Sequence, residues 1–481
     1  MISPGPTAAG ATQGSPVTEP APGGEGLPAL GSPHELDVDA LAAALGGGSV
    51  SGLHRLLGGA SRETWAFELD GRPLVLRRDP SGASRRGQMD REGELLRIAR
   101  AAGVRVPQVF AAGPGWLVME FVKGETLARR ILRDDVYAVA RSQLVGNCAQ
   151  ALARLHRGVD PAAVPGLSAE DPVVVLRDTL DEAGEPHPAL ELGLRWLDQQ
   201  RPTVRAPVVV HGDFRLGNLI VTADGLAAVL DWELAHRGNP VEDLGWLCVR
   251  SWRFGSPLPV AGVGDRPELL AAYTAAGGER VDLEELHWWE VLGTLRWAVL
   301  CLVQARAHLS GGVRSVELAS IGRRVCEVEL DLLDLLDLLY ELRESAPPPP
   351  AAEISLPHDR PTGAELLEAV REFLLGLPLT GRDLFLARVS ARALAIVERQ
   401  LALGPSLAAE HARRLSDLGV ATDEELAEGI RGGRFDAEHV LPKVRAAVVA
   451  KLRVADPGQL SERPAPAGAV SGQCPSDSST E

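Results

Sequence analysis

Aromatic residues are scarce in this 481-residue chain, at 4%, so leucine, alanine and valine must supply most of the packing. Long apolar runs are missing: none reaches the ~18 residues a membrane-spanning helix needs, which argues against a membrane partner. The chain does not open on a basic start followed by an apolar segment, so no secretory signal is expected. The five cysteines (Cys148, Cys248, Cys301, Cys326, Cys474) form no C-x-x-C pair and read as reduced structural thiols of a cytoplasmic protein. Excess positive charge is absent too. A net charge of −16 argues against nucleic acid as a main partner, although a nucleotide needs only a few local cations.

What is present is enough chain for two or three domains, with 45% hydrophobic and 24% charged residues. Residues 1–34 are rich in Pro, Gly, Ala, Ser and Thr and are expected to be disordered. Residues 345–357 include four consecutive prolines and read as a semi-rigid linker. The tail, 461–481, is again Pro, Ser and Gly rich. Two folded blocks remain, 35–344 and 358–460.

The first block starts with strand character. Thr64–Leu69 and Pro73–Arg78 flank Asp70-Gly71, a hairpin signal. A helix is expected from Met89 to Ala102, closed by Gly103. A second strand pair surrounds Gly113-Pro114-Gly115. After Thr126 the pattern is mostly helical, with Leu144–His156, Leu283–Leu309 and Val316–Leu342 as helices and short buried strands at Val208–His211 and Ala227–Asp231. This is an α+β arrangement: a small sheet-rich lobe (35–121) and a larger helical lobe (122–344). The second block reads as all helix: Thr362–Leu375, Asp383–Leu403, Ser406–Leu418, Glu424–Arg431 and His439–Arg453. Thr362 and Glu365 form a capping-box pattern.

The chemistry concentrates in Val210-His-Gly-Asp-Phe-Arg-Leu-Gly-Asn-Leu-Ile-Val, followed by Ala228-Val-Leu-Asp-Trp-Glu. Phosphoryl transfer needs a group to take or orient the nucleophile's proton, hard ligands for Mg2+ on a triphosphate, and nearby cations. Asp213 suits the base. Asn218, five residues on, offers an amide oxygen to the metal, and Asp231 a carboxylate. A turn at Asp224-Gly225 would bring Asp231 back beside Asn218. His211 is expected to prop the loop rather than act on substrate, and Arg215 to assist charge on the acceptor or the phosphoryl group. Trp232 and Trp246 read as core.

The H-G-D-x-x-x-x-N loop with Leu230-Asp-Trp-Glu, continued by Gly238-Asn-Pro-Val-Glu-Asp-Leu-Gly-Trp, resembles the aminoglycoside phosphotransferase-like kinases. Their branch associated with acyl-CoA dehydrogenases is the most similar. The resemblance covers about 45–340 and implies a two-lobed protein-kinase-like fold, ATP as phosphoryl donor and a small-molecule hydroxyl as acceptor. It implies that Gly58, Gly59 and Ser61 lie over the ATP phosphates. Arg77 then stands where kinases carry a lysine, with Glu92 as its helix partner. The Glu120 carbonyl and Val122 N–H would meet the adenine, and Asp243 would stabilise the catalytic loop.

The branch suggests a hydroxyacyl-CoA acceptor and an acyl-CoA dehydrogenase as pathway partner. An aminoglycoside or amino-alcohol acceptor stays open, as do a non-catalytic nucleotide-binding protein, which Arg77 motivates, and a protein kinase. The acids of 170–198 (Asp171, Asp178, Asp181, Glu182, Glu185, Glu191) could hold a cation but read better as a solvated helix face. Residues 358–460 resemble a small helical domain of unknown function found with such kinases.

Overall fold

The computed structural model describes residues 37–56, 62–79, 88–164, 166–337 and 362–461. The readings of 1–34, of Gly58, Gly59 and Ser61, of the 345–357 linker and of the tail beyond 461 lie outside these residues.

Helix α1 (Val38–Ala44) precedes strands β1 (Val50–Arg55), β2 (Glu63–Leu69) and β3 (Arg72–Arg78). Helix α2 (Gln88–Ala101) follows, then β4 (Val109–Gly113) and β5 (Trp116–Glu120). The five strands form one antiparallel sheet in the order β1-β2-β3-β5-β4. Asp70 and Gly71 both take positive φ, 49° and 78°, the pair of left-handed residues that a two-residue hairpin requires.

Strand alternation divides this sheet into two faces. Phe67, Leu74, Leu76, Trp116 and Val118 pack with Leu41 of α1 on one side. Leu117 and Met119 join Met89, Leu95, Leu96 and Ala99 of α2 on the other. Val75 packs on that second side as well. The period of two therefore turns Arg77 toward α2 and sends Arg78 to the opposite face, where it donates to Glu63 at 2.6 Å.

The chain crosses to the second lobe after β5. Helices α3 (Ala128–Arg133), α4 (Ala138–Gly158), α5 (Pro172–Ala183) and α6 (Pro188–Gln199) come first. Four short strands follow: β6 (Val208–Val210), β7 (Leu219–Thr222), β8 (Gly225–Val229) and β9 (His236–Gly238). Strands β7 and β8 form a hairpin, and β6 pairs with β9. The lobe closes with α7 (Val241–Cys248), α8 (Arg266–Ala275), α9 (Leu283–Leu309), α10 (Val316–Gly322) and α11 (Val325–Asp337). Cys148, Cys248, Cys301 and Cys326 are buried and unpaired, and burial pushes the thiols of Cys148, Cys301 and Cys326 up to about 12. No helix of the described residues is long and apolar enough to cross a membrane.

One helix was expected over 316–342. The chain instead breaks between α10 and α11 at Arg323-Arg324. Gly322 lies so close to α9 that an added Cβ would stand 2.7 Å from that of Ala305. The new direction lets Val328, Leu332 and Leu333 of α11 enter the core.

Helices α12 (Gly363–Gly376), α13 (Gly381–Asp417), α14 (Asp423–Arg431), α15 (Ala437–Ala455) and α16 (Gly458–Ser461) complete the structure. Thr362 and Glu365 form both hydrogen bonds of the capping box. A second correction falls at Gly404-Pro405, the gap between the helices expected over 383–403 and 406–418. Helix α13 runs straight through it. Proline in a helix interior costs about 3 kcal/mol, and packing of Leu403 and Leu407 against Ala450 and Val454 of α15 offsets this.

These helices dock on the second lobe. Leu415, Leu418, Leu426, Ile430, Val440 and Val444 join the same apolar core as α6 and α11. A third correction follows, because the acids of 170–198 are not all solvated. Glu191 is buried and accepts from Arg431 of α14 at 2.5 Å, as does Asp181.

Candidate active site

The β6–β7 loop carries His211, Asp213, Arg215 and Asn218, and the hairpin β7–β8 returns the chain so that the Leu230 N–H donates to the Asn218 carbonyl at 2.8 Å. Asp231 thereby sits beside Asn218. Asp231 has φ +65°, a left-handed conformation that aspartate tolerates better than most residues. Gly212 is required at its position. Its φ is +77°, and a Cβ there would stand 2.4 Å from the Leu234 carbonyl oxygen.

Asp243 of α7 fixes this loop from below. It is fully buried; its Oδ2 accepts from the His211 N–H (2.8 Å) and its Oδ1 from the Gly212 N–H (2.9 Å). His156 of α4 binds Oδ2 at 3.1 Å and Tyr273 at 2.8 Å. Burial alone would raise the Asp243 pKa, but His156 and the loop N–H groups outweigh it, and the carboxyl stays below its ordinary value.

His211 is buried and turned inward. Its Nδ1 accepts from the Asp213 N–H at 3.1 Å, so the proton sits on Nε2, which donates to the Leu230 carbonyl at 3.0 Å. The imidazole thus ties the two ends of the loop and hairpin together.

The Asp213 carboxylate has three donors. Arg215 Nε (2.9 Å) and Trp246 Nε1 (2.8 Å) reach Oδ1, and Asn218 Nδ2 (2.6 Å) reaches Oδ2. Asn218 Nδ2 also donates to the Asp213 carbonyl at 2.9 Å. With its NH2 used this way, the amide oxygen of Asn218 is left to face a cation. Both that oxygen and the Asp231 carboxylate are hard donors that fit Mg2+.

Above the loop, Arg77 donates through Nη1 to Glu92 Oε1 at 2.5 Å and through Nη2 to Asp231 Oδ1 at 3.0 Å, spanning the two lobes. Burial works against its charge, but Glu92 and Asp231 more than offset this and raise its pKa. Glu92 has a second arginine: Arg62 Nη1 donates to its Oε2 at 2.5 Å, with Arg62 and Glu92 side chains each 2% exposed. Arg62 also reaches Asp79 at 3.2 Å and Glu233 at 3.6 Å. Burial, with Asp231 adjacent, pushes the Glu233 carboxyl above its ordinary range.

Glu92→Gln removes the charge shared by the buried Arg62 and the part-buried Arg77, and is expected to cost about 2 kcal/mol of unfolding free energy. Urea denaturation measures it; a change within about 0.5 kcal/mol would mean that the three groups do not act as a unit.

Glu120 ends β5, where its N–H donates to the Gln108 carbonyl (2.8 Å) and its Oε2 accepts from the Gln108 N–H (3.1 Å). Val122 lies in the following irregular connector between the lobes.

The structure thus brings Asp213, Arg215, Asn218, His211, Asp231, Arg77 and Glu92 together through these hydrogen bonds. It adds three residues that the sequence reading did not assign to the site. Arg62 gave no signal, since a lone arginine after a glycine pair carries no mark of burial. His156 likewise looked like one polar residue in an apolar helix. Trp246 is core, being buried, yet its N–H holds Asp213. The spacing could have found it: Asp243 and Trp246 are three residues apart on α7 and share its loop-facing side.

Residues 52–289 match the family described as phosphotransferase enzyme family, and residues 378–459 match a domain of unknown function, DUF6285. Acyl-CoA dehydrogenase family member 10 of Mus musculus is 29% identical over 220 residues, covering 42% of this chain and 20% of that protein. Acyl-CoA dehydrogenase family member 11 of Gallus gallus is 26% identical over 313 residues, covering 57% of this chain and 39% of that protein. The chain therefore spans well under half the length of these two curated relatives. A solved structure from Ralstonia eutropha, provisionally assigned as an aminoglycoside phosphotransferase, superimposes with a TM-score of 0.50 at 22% identity, over 60% of this chain and 93% of that one. At that identity the likeness is one of fold, and the fold is the two-lobed, protein-kinase-like one. Residues 52–289 of this chain belong to the phosphotransferase enzyme family, and a helical block of the DUF6285 type follows them.

Proposed function

We propose that the protein is a cytoplasmic kinase that transfers the γ-phosphoryl group of ATP to a hydroxyl of a small molecule. The carrying observation is the state of Asp213. A carboxylate offers about four lone-pair positions, and Arg215, Trp246 and Asn218 occupy two on Oδ1 and one on Oδ2. The position left on Oδ2 is available to a hydroxyl. Asp213 Oδ2 takes that proton as the acceptor oxygen bonds to the γ-phosphorus. The bond from the γ-phosphorus to the β,γ-bridging oxygen breaks, and ADP leaves with its electron pair.

Asn218 and Asp231 would hold Mg2+, which when bound neutralises triphosphate charge. Arg77, set by Glu92, would grip the α- and β-phosphates bidentately. Gly58, Gly59 and Ser61 would cradle the phosphates through backbone N–H groups. The Glu120 carbonyl and Val122 N–H would meet the adenine edge.

For the acceptor we favour a hydroxyacyl-CoA, which phosphorylation would equip with a leaving group. The support is that the two relatives reported above carry acyl-CoA dehydrogenase in their names. An enzyme of that class would then be the pathway partner. A cationic acceptor is less well served, because Asp171, Asp181 and Glu191 are paired with arginines.

The test is an acceptor screen with γ-labelled ATP and Mg2+, setting hydroxyacyl-CoAs beside aminoglycosides and amino alcohols. Label should move to a hydroxyacyl-CoA with stoichiometric ADP. Binding of Mg·ATP with no transfer to any hydroxyl compound would instead favour a nucleotide-binding regulator.

A further inference from the structure

Arg215 has a guanidinium that its loop does not use up. Its Nε is spent on Asp213 Oδ1 at 2.9 Å, and its ring-facing side lies over the Trp252 indole, with the guanidinium carbon 4.6 Å from the ring centroid. Neither Nη group donates a hydrogen bond to any described residue. Gly217 borders the same group: a Cβ there would stand 2.5 Å from Nη1, so only glycine leaves the guanidinium its place.

Trp252 is itself locked, with Trp246 at 5.3 Å and Trp297 at 4.8 Å between ring centroids. Arg215 is thus held at two points, and the entropic cost of ordering a long side chain is met before any ligand arrives. Two parallel N–H donors on a fixed plane are the shape that binds a carboxylate or phosphate.

The two oxygens of Asp213 tell which reactant this would be. Oδ2 faces Asn218, and so the side where metal and triphosphate would lie. Oδ1 faces Arg215, Trp246 and the helical lobe. The nucleotide side already has Arg77 as its cation, set on the opposite lobe. The other arginines over this tryptophan group, Arg296 over Trp246 at 5.1 Å and Arg324 over Trp297 at 6.0 Å, are neutralised by Glu242 at 2.9 Å and by Glu327 at 3.0 Å. Among the described residues, Arg215 is paired only with the carboxylate that the reaction itself engages.

We infer that Arg215 is the specificity-determining residue for the acceptor, and that it binds an anionic group, carboxylate or phosphate, carried by the same molecule as the reacting hydroxyl. The inference rests on the kinase reading and narrows it: acceptors with a negative group are selected over neutral and cationic ones.

The experiment compares the full-length wild type with Arg215→Met and Arg215→Lys. The substrates are short-chain hydroxy acids, their neutral methyl esters, their CoA thioesters, and kanamycin as the cationic arm; Mg·ATP affinity is measured separately by calorimetry. Wild type should prefer an anionic acceptor to its ester. Arg215→Met should cut that preference about 10- to 100-fold in kcat/KM, mostly through acceptor KM, with Mg·ATP affinity unchanged. Arg215→Lys should recover part of it. A preference for the free acids places the anion beside the hydroxyl, whereas a preference for thioesters assigns it to the phosphates of CoA. An unchanged preference in Arg215→Met, or a loss confined to Mg·ATP affinity, overturns the inference while leaving the kinase reading intact. Mg·ATP binding by wild type without transfer to any acceptor overturns both.

Discussion

Asp213→Asn should lower the rate of phosphoryl transfer about 1000-fold, within the range expected when a positioned general base is lost. Mg·ATP affinity should stay within a few fold of wild type. The substitution is nearly isosteric, and the donors from Arg215 and Trp246 can still meet an amide oxygen. What disappears is the acceptor at Oδ2: the position for the hydroxyl proton and the bond from Asn218 Nδ2. Single-turnover transfer with labelled ATP separates chemistry from binding and product release. Transfer at the wild-type rate in Asp213→Asn would remove Asp213 from the mechanism. The three-residue arrangement of base, Asn218 and Asp231 would then be a structural loop.

The residues that make this prediction were legible because the reaction demands them at a fixed spacing. Asp213 and Asn218 share one loop, and Asp224-Gly225 announced the hairpin that brings Asp231 back. The hairpin was legible through Asp70-Gly71, but the register at Arg77 and Arg78 was not: alternation lets only one of two adjacent arginines reach α2, and the packing of Val75 with the bond to Glu92 picks Arg77. What was hidden depends on contacts between distant segments. Arg62 is joined to Glu92 across 30 residues, and His156 to Asp243 across 87. No local pattern encodes such pairs. Pro405 misled for the opposite reason: its local rule is strong, but packing of α13 against α15 outweighs it. Asp181 and Glu191 looked solvated because their partner, Arg431, lies about half the chain away.

The buried position of Asp243 gives the largest expected change in stability. Asp243→Ala leaves the His211 and Gly212 N–H groups and the His156 ring without their acceptor in a site closed to water. The expected cost is about 3–5 kcal/mol of unfolding free energy. The pH dependence has a definite sign. Because the folded pKa of Asp243 lies below its unfolded value of 3.8, its contribution is fully present above 3.8 and is lost as pH falls through the folded value. Urea denaturation of wild type and Asp243→Ala should therefore show a constant gap from neutral pH down to about 5, narrowing only in more acid solution. A gap that closed near neutrality would assign the effect to histidine titration instead. The same variant should lose phosphoryl transfer even where it remains folded. The two N–H groups that Asp243 holds are those of the residues immediately before Asp213, so the base would no longer be kept at its place between Asn218 and Arg215.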